Sequence, residues 1–98
     1  MRYRFEAPLW RWKARSDAWF FVTVPEDAGD EIRGLVGDLA GGFGSVKVRV
    51  RVGATTWTTS IFPDGNSGSY SLPMKAAVRR AEGLTEDEPV AVDLEVLL

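Results

Sequence analysis

The 98-residue chain contains no cysteine and no histidine. Without cysteine there can be no disulfide, no thiol nucleophile and no thiolate metal site, and the chain folds equally well in a reducing compartment. Without histidine, imidazole-based triads, imidazole proton shuttles and most zinc sites are excluded. Long apolar runs are missing too: nothing approaches the ~20 residues of a membrane span, and MRYRFEAPLWRWK has no apolar core of signal-peptide length. A cytoplasmic protein that neither enters a membrane nor needs a cofactor is expected. Neither sign of charge dominates, since 12 basic and 14 acidic residues leave a net charge of −2. A general attraction to nucleic acid is therefore not expected, although a local basic patch can exist.

What is present is an ordinary single domain, residues 1–98, with 45% hydrophobic and 27% charged residues. Residues 2 to 9 alternate, with Tyr3, Phe5, Ala7 and Leu9 on one face, and predict a strand that is an edge or bulges at Pro8. Residues 19 to 24 are almost continuously apolar and read as a strand buried on both sides, one by the core and one by a helix. A glycine-rich loop at 40 to 45 precedes the cleanest strand, 45 to 52, with Val46, Val48, Val50 and Val52 inward and Lys47, Arg49 and Arg51 outward. Gly53-Ala54 suits a two-residue II′ turn back into residues 55 to 62. Residues 63 to 69 are a second loop, and 89 to 98 close the chain with Val90, Val92, Leu94, Val96 and Leu98 inward. Opposite charges place Arg49 and Arg51 beside Glu95 and Asp93, in an antiparallel pair of these two strands.

Residues 70 to 84, YSLPMKAAVRRAEGL, hold a strand, a helix expected to start at Pro73, and a glycine stop. Met74, Ala77, Val78 and Ala81 recur at helical spacing as one apolar stripe, and Gly83-Leu84 predicts a Schellman close onto Val78. Residues 21 to 35 repeat the theme: strand, Pro25, then a helix with Ala28, Ile32, Leu35 and Val36 as its buried side, and Gly37 as its end. The apolar-arginine pairs Ile32-Arg33 and Val78-Arg79 correspond, with offsets from the proline that differ by two residues. The two stretches are a weak internal repeat or a chance likeness of two helix starts. A true repeat favours a monomer, with weak edge-strand dimerisation as the alternative.

Five or six strands and two short helices predict a β-rich fold, either a small closed barrel or an open sheet with both helices on one face. The series FEAPLW, WFFVTVP, TTWTTSIFP and YSLPMKAAVRRAEGL, followed by an alternating strand, resembles the bacterial and archaeal DUF1905 family. That resemblance covers nearly the whole chain. It implies a small closed barrel of about six strands with two helices, of the double-split kind, and implies no activity. Residues 72 to 92 are also similar to the swapped-hairpin segment of AbrB and MazE transcription factors, which bind DNA as homodimers. The acidic turn here reads Glu86-Asp87-Glu88 rather than Glu-Gly-Asp, and GSYS replaces the basic strand, which leaves AbrB-like DNA binding, like hydrolase activity, as a minor reading.

Among four tryptophans, Trp19 and Trp57 are expected in the core. Trp10 and Trp12 share the outward parity of Arg2 and Arg4 unless Pro8 bulges, and either cover a pocket mouth or pack under the first helix. Ser60 and Lys75 are the one nucleophile and base pairing of note, set against a serine that bonds backbone. Glu26, Asp27, Asp30 and Glu31 crowd the first helix N-terminus, where the helix dipole accounts for them. The second helix has no acid in its first turn, and Lys75 and Arg79 add positive charge there. The leading reading is therefore a module for a small molecule or anion, with Trp57, Ser60, Tyr70, Lys75 and Arg79 as the candidate site. In the competing reading Asp64 or Ser71 caps the helix and the two cations are solvated. A protein-interaction domain is the alternative function.

Overall fold

Alternation of apolar and polar side chains produces a sheet with one wet face, and here that sheet closes on itself. The computed structural model describes residues 1–13, 19–37 and 44–98. Strands β1 (Arg2–Trp12) and β2 (Trp19–Thr23) precede helix α1 (Glu26–Val36). Then come β3 (Val46–Val52), β4 (Thr55–Asp64), β5 (Ser69–Pro73), helix α2 (Ala76–Glu82) and β6 (Pro89–Val96). The strands form a closed barrel in the order β1-β2-β5-β4-β3-β6, every neighbour antiparallel. The open-sheet alternative is thus excluded. Val48, Val50, Ile61, Leu72, Leu9, Val22 and Leu94 fill the interior with Trp57. Residues 14–18 and 38–43, the latter including 40–43 of the expected glycine-rich loop, lie outside the described residues.

Two strands change partner along their length. β1 pairs with β6 from Arg2 to Pro8 and with β2 from Leu9 to Trp12. β4 pairs with β3 as far as Ile61 and with β5 from Phe62. Pro8 stands at the hand-over, opposite Pro89, where a missing N–H costs no ladder bond. The register runs through it without a bulge, so Trp10 and Trp12 stay on the outer face with Arg2 and Arg4.

The β3–β6 pairing follows the charges. Arg49 stands opposite Glu95, with Nη1 3.0 Å from Oε1, and Arg51 stands opposite Asp93. Asp93 is ion-paired instead to Arg2 at 3.5 Å and Arg4 at 3.4 Å, because β1 flanks β6 on its other side. Arg51 turns back to donate from Nε to the Gly53 carbonyl, 3.0 Å away. The Gly53-Ala54 turn has its positive φ, 58°, on the glycine, as a II′ turn requires.

Several expectations are corrected. Pro73 does not start α2. It is the last residue of β5, opposite Phe21, and the ladder runs one residue further through a Met74 N–H to Phe20 carbonyl bond of 2.9 Å. The N-cap is Lys75, in extended conformation, so Met74 is buried by the sheet, and Ala77 and Ala81 face solvent. Only Val78 of the helix is buried. The Schellman end forms as expected: Leu84 N–H reaches the Arg79 carbonyl at 2.9 Å, with Gly83 left-handed at φ 61°. In α1 the buried face is Gly29, Ile32 and Val36, and Leu35 is exposed. β4 and β5 extend into the predicted 63–69 loop, leaving a turn over 65–68, and Leu98 lies beyond β6, exposed.

Trp19 is not in the core. Phe20, Val22 and Val24 take the inner side of β2 and its flank, which by period two sends Trp19, Phe21 and Thr23 outward. β2 is buried on one face, and an aromatic surface, not a helix, lies on the other.

The two strand-helix units are related by an internal twofold. Val22 faces Leu72, the Val24 N–H bonds the Tyr70 carbonyl at 2.9 Å, and Met74 N–H bonds Phe20 in the same way. Residues 20, 22, 24 and 25 thus correspond to 70, 72, 74 and 75, and the N-caps are Pro25 and Lys75. The Arg33 guanidinium lies 5.5 Å from the Tyr70 ring centre and that of Arg79 lies 4.0 Å from Phe20. Arg33 is eight residues past its N-cap and Arg79 four past its own. That difference is about one helical turn, so both arginines fall on equivalent helix faces.

Candidate functional site

The five residues proposed from sequence are not brought to one place. Trp57, opposite Val50, is inside the barrel, and Tyr70 is buried beneath Arg33. Ser60 is on the outer side of β4, opposite Lys47. Lys75 and Arg79 do share a cleft of about 360 Å³ with Trp19, Phe20, Pro73 and Met74. Arg79 is already occupied there, stacked on Phe20 and donating from Nε to the Met74 carbonyl at 3.0 Å. Neither Asp64 nor Ser71 caps α2, which has no side-chain cap.

A second cleft arises from side-chain size across the outer sheet face. Successive outward residues are Trp10 and Trp12 on β1, Trp19 and Phe21 on β2, Ser71 and Pro73 on β5, and Phe62 and Asp64 on β4. β5 contributes short side chains between two tall banks. Since β2 and β4 are two strand spacings apart, the banks are separated by roughly 10 Å. The resulting cleft encloses about 460 Å³ and ends at the 65–68 turn, where Asn66 joins the lining. Its volume is within the range of small-molecule sites.

The aromatic bank has a fixed part and an open part. Trp10 stacks on Phe21 with ring centres 5.0 Å apart, and its Nε1–H donates to Thr23 Oγ1 at 2.9 Å. Trp12 and Trp19, opposite each other in the ladder, remain 42% and 50% exposed, and Phe62 remains 45% exposed. Large apolar side chains this open, grouped on one concave face, are unusual on a solvated surface.

Asp64 supplies the polar end. Its Oδ1 accepts from the Asn66 N–H at 2.9 Å and its Oδ2 from the Ser71 hydroxyl at 3.0 Å, which holds the half-buried carboxylate against the cleft. It is the one charged side chain among the described lining residues, and it has no ion pair among the described residues.

A depression of about 640 Å³ near Arg4, Arg51 and Asp93 is walled in part by the Arg4–Asp93 ion pair. Below α1, Tyr3 donates from its hydroxyl to Glu31 Oε1 at 2.8 Å. Burial first, then that bond and the Glu31 charge, push the Tyr3 phenol up to about 12, so it is a tie and not a base. No cluster of metal-ligating side chains occurs among the described residues, and no described helix is long and apolar enough to cross a membrane.

Sequence reasoning places Trp19 in the core and, in its competing reading, Asp64 as a helix cap, and singles out neither Phe21 nor Phe62. The signal for Trp12 is its parity with Arg2 and Arg4, whereas the apolar run at 19–24 conceals which of its residues face out. No curated protein matches the chain. Residues 5–94 do match the family model described as a domain of unknown function, DUF1905. That match, spanning nearly the whole chain of a six-stranded closed barrel, shows that the protein belongs to the DUF1905 family.

Proposed function

We propose that this protein is a small-ligand-binding module and that its site is the cleft between the Trp12–Trp19 bank and Phe62. The observation that carries the reading is concavity: three exposed aromatic side chains surround about 460 Å³ and converge on Asp64, Asn66 and Ser71. A protein-docking surface would be a flat apolar patch, without a polar end of this kind. The rings provide stacking area at low entropic cost, because a tryptophan fixes only two side-chain torsions on binding. The protein acts as a monomer in this reading. Closure of the barrel supports that, since β1 and β4, whose residues are each laddered on one side, hand over from one partner to another and no strand ends the sheet along its whole length.

The test is a thermal-shift screen of the full chain against metabolites in several classes: aromatic, cationic, anionic and neutral. A saturable rise in Tm with at least one class, lost in Trp12→Ala, is expected. No rise with any class, or a rise that Trp12→Ala retains, contradicts the assignment. Sedimentation that finds only dimer at nanomolar concentration contradicts the monomer.

A further inference from the structure

We infer that the ligand of this cleft is an organic ammonium ion whose nitrogen carries alkyl groups, an inference that rests on the cleft being a ligand site. Two features of the cleft select for positive charge. Trp12, Trp19 and Phe62 are exposed and line the cleft, and the face of an aromatic ring carries negative π-potential that attracts a cation. At the polar end, Asp64 has two of roughly four lone-pair directions filled, by Asn66 and Ser71, and the rest remain available.

Asp64 differs from Asp93, the other half-buried aspartate among the described residues. Asp93 is answered by Arg2 and Arg4, and Glu95 by Arg49. Two arginines over aromatic rings are already committed: Arg79 to Phe20 and the Met74 carbonyl, and Arg33 to Tyr70 and the Gly68 carbonyl. An anion would meet the Asp64 charge and the ring faces together. A neutral ligand would leave a half-buried carboxylate without a counter-charge.

The cleft also distinguishes among cations. A primary ammonium has three N–H donors to satisfy, and Asp64 with the few polar groups at one end cannot replace its water on all sides. An alkylated nitrogen is less strongly hydrated and can rest its methyl or methylene groups on indole and phenyl faces, with the carboxylate as counter-ion.

The experiment titrates the full chain with choline and, separately, with its neutral isostere 3,3-dimethylbutan-1-ol, following tryptophan indole N–H resonances at fixed ionic strength. Choline is expected to shift the Trp12 and Trp19 resonances, to leave buried Trp57 unmoved, and to bind about tenfold more tightly than the isostere. Asp64→Asn, which keeps the Oδ1 acceptor for Asn66, should weaken choline about tenfold and leave the isostere unchanged. Equal affinity for both probes overturns the ammonium assignment and leaves the cleft as a ligand site. Binding of neither probe overturns the ammonium assignment and, together with a blank metabolite screen, the site itself. If Asp64→Asn does not fold, the comparison of the two probes on the parent protein decides alone.

Discussion

Val22 and Leu72 stand opposite each other at the centre of the β2–β5 pair, and the two halves of the barrel are arranged around that contact. Both are fully buried. Outward from them the chain repeats itself: a bond across the strand end, an uncapped turn into a helix, and an arginine laid over the other unit's aromatic ring. Each unit thus shields a ring that the other provides, which couples the two helices to one core.

Removing either arginine should therefore cost more than a surface substitution. Arg79→Ala is expected to destabilise by about 1 to 2 kcal/mol, through the lost cation–π contact, the lost bond to the Met74 carbonyl, and exposure of Phe20. Arg79→Lys should recover only part of this, because an ammonium cannot stack as a guanidinium does. Urea denaturation of the three proteins measures it.

Two glycines of α1 should respond to alanine with opposite signs. At Gly34 a Cβ would meet nothing within 4 Å, so Gly34→Ala should stabilise by up to ~1 kcal/mol through helix propensity. At Gly29 a Cβ would overlap the Ser69 hydroxyl and come within 3.3 Å of the Ser69 backbone. Gly29→Ala should destabilise by about 1 to 3 kcal/mol, since helix and strand must separate to admit the methyl group. Thermal unfolding distinguishes the two.

Alkaline stability reports on Tyr3. Its folded pKa, about 12, lies above the ordinary value of 10.0, so between those values the folded state holds more protons than the unfolded one. The contribution is complete below pH 10, and it falls away as pH rises toward 12. Tyr3→Phe should flatten that part of the stability–pH curve relative to the parent.

The sheet was largely legible in the sequence because strict alternation at 46–52 and 90–96 leaves one arrangement that buries the valines, and charge then pairs those strands. The helix positions were less so. Pro73 marks a helix start by local preference, but sheet pairing continues past it to Met74 and takes the apolar side chain that the helix was expected to bury. The repeat was visible in the apolar-arginine pairs, yet aligning the prolines misplaced it, because the structural equivalent of Pro25 is Lys75. The cleft was hidden for a different reason. Its walls come from four strands, and its depth depends on β5 placing Ser71 and Pro73 between larger neighbours, a relation that exists only once the strand order is known.

The most direct test of the cleft as a ligand site is Trp19→Ala, in which stability and binding are read separately on the same protein. Because this side chain is half exposed and outside the core, stability should fall by about 1 to 2 kcal/mol, less than the roughly 3 to 5 kcal/mol of a core tryptophan. Ligand-induced stabilisation by any compound that raises the parent Tm should disappear. A variant that retains that stabilisation would contradict the account, as would one that unfolds as a core substitution does.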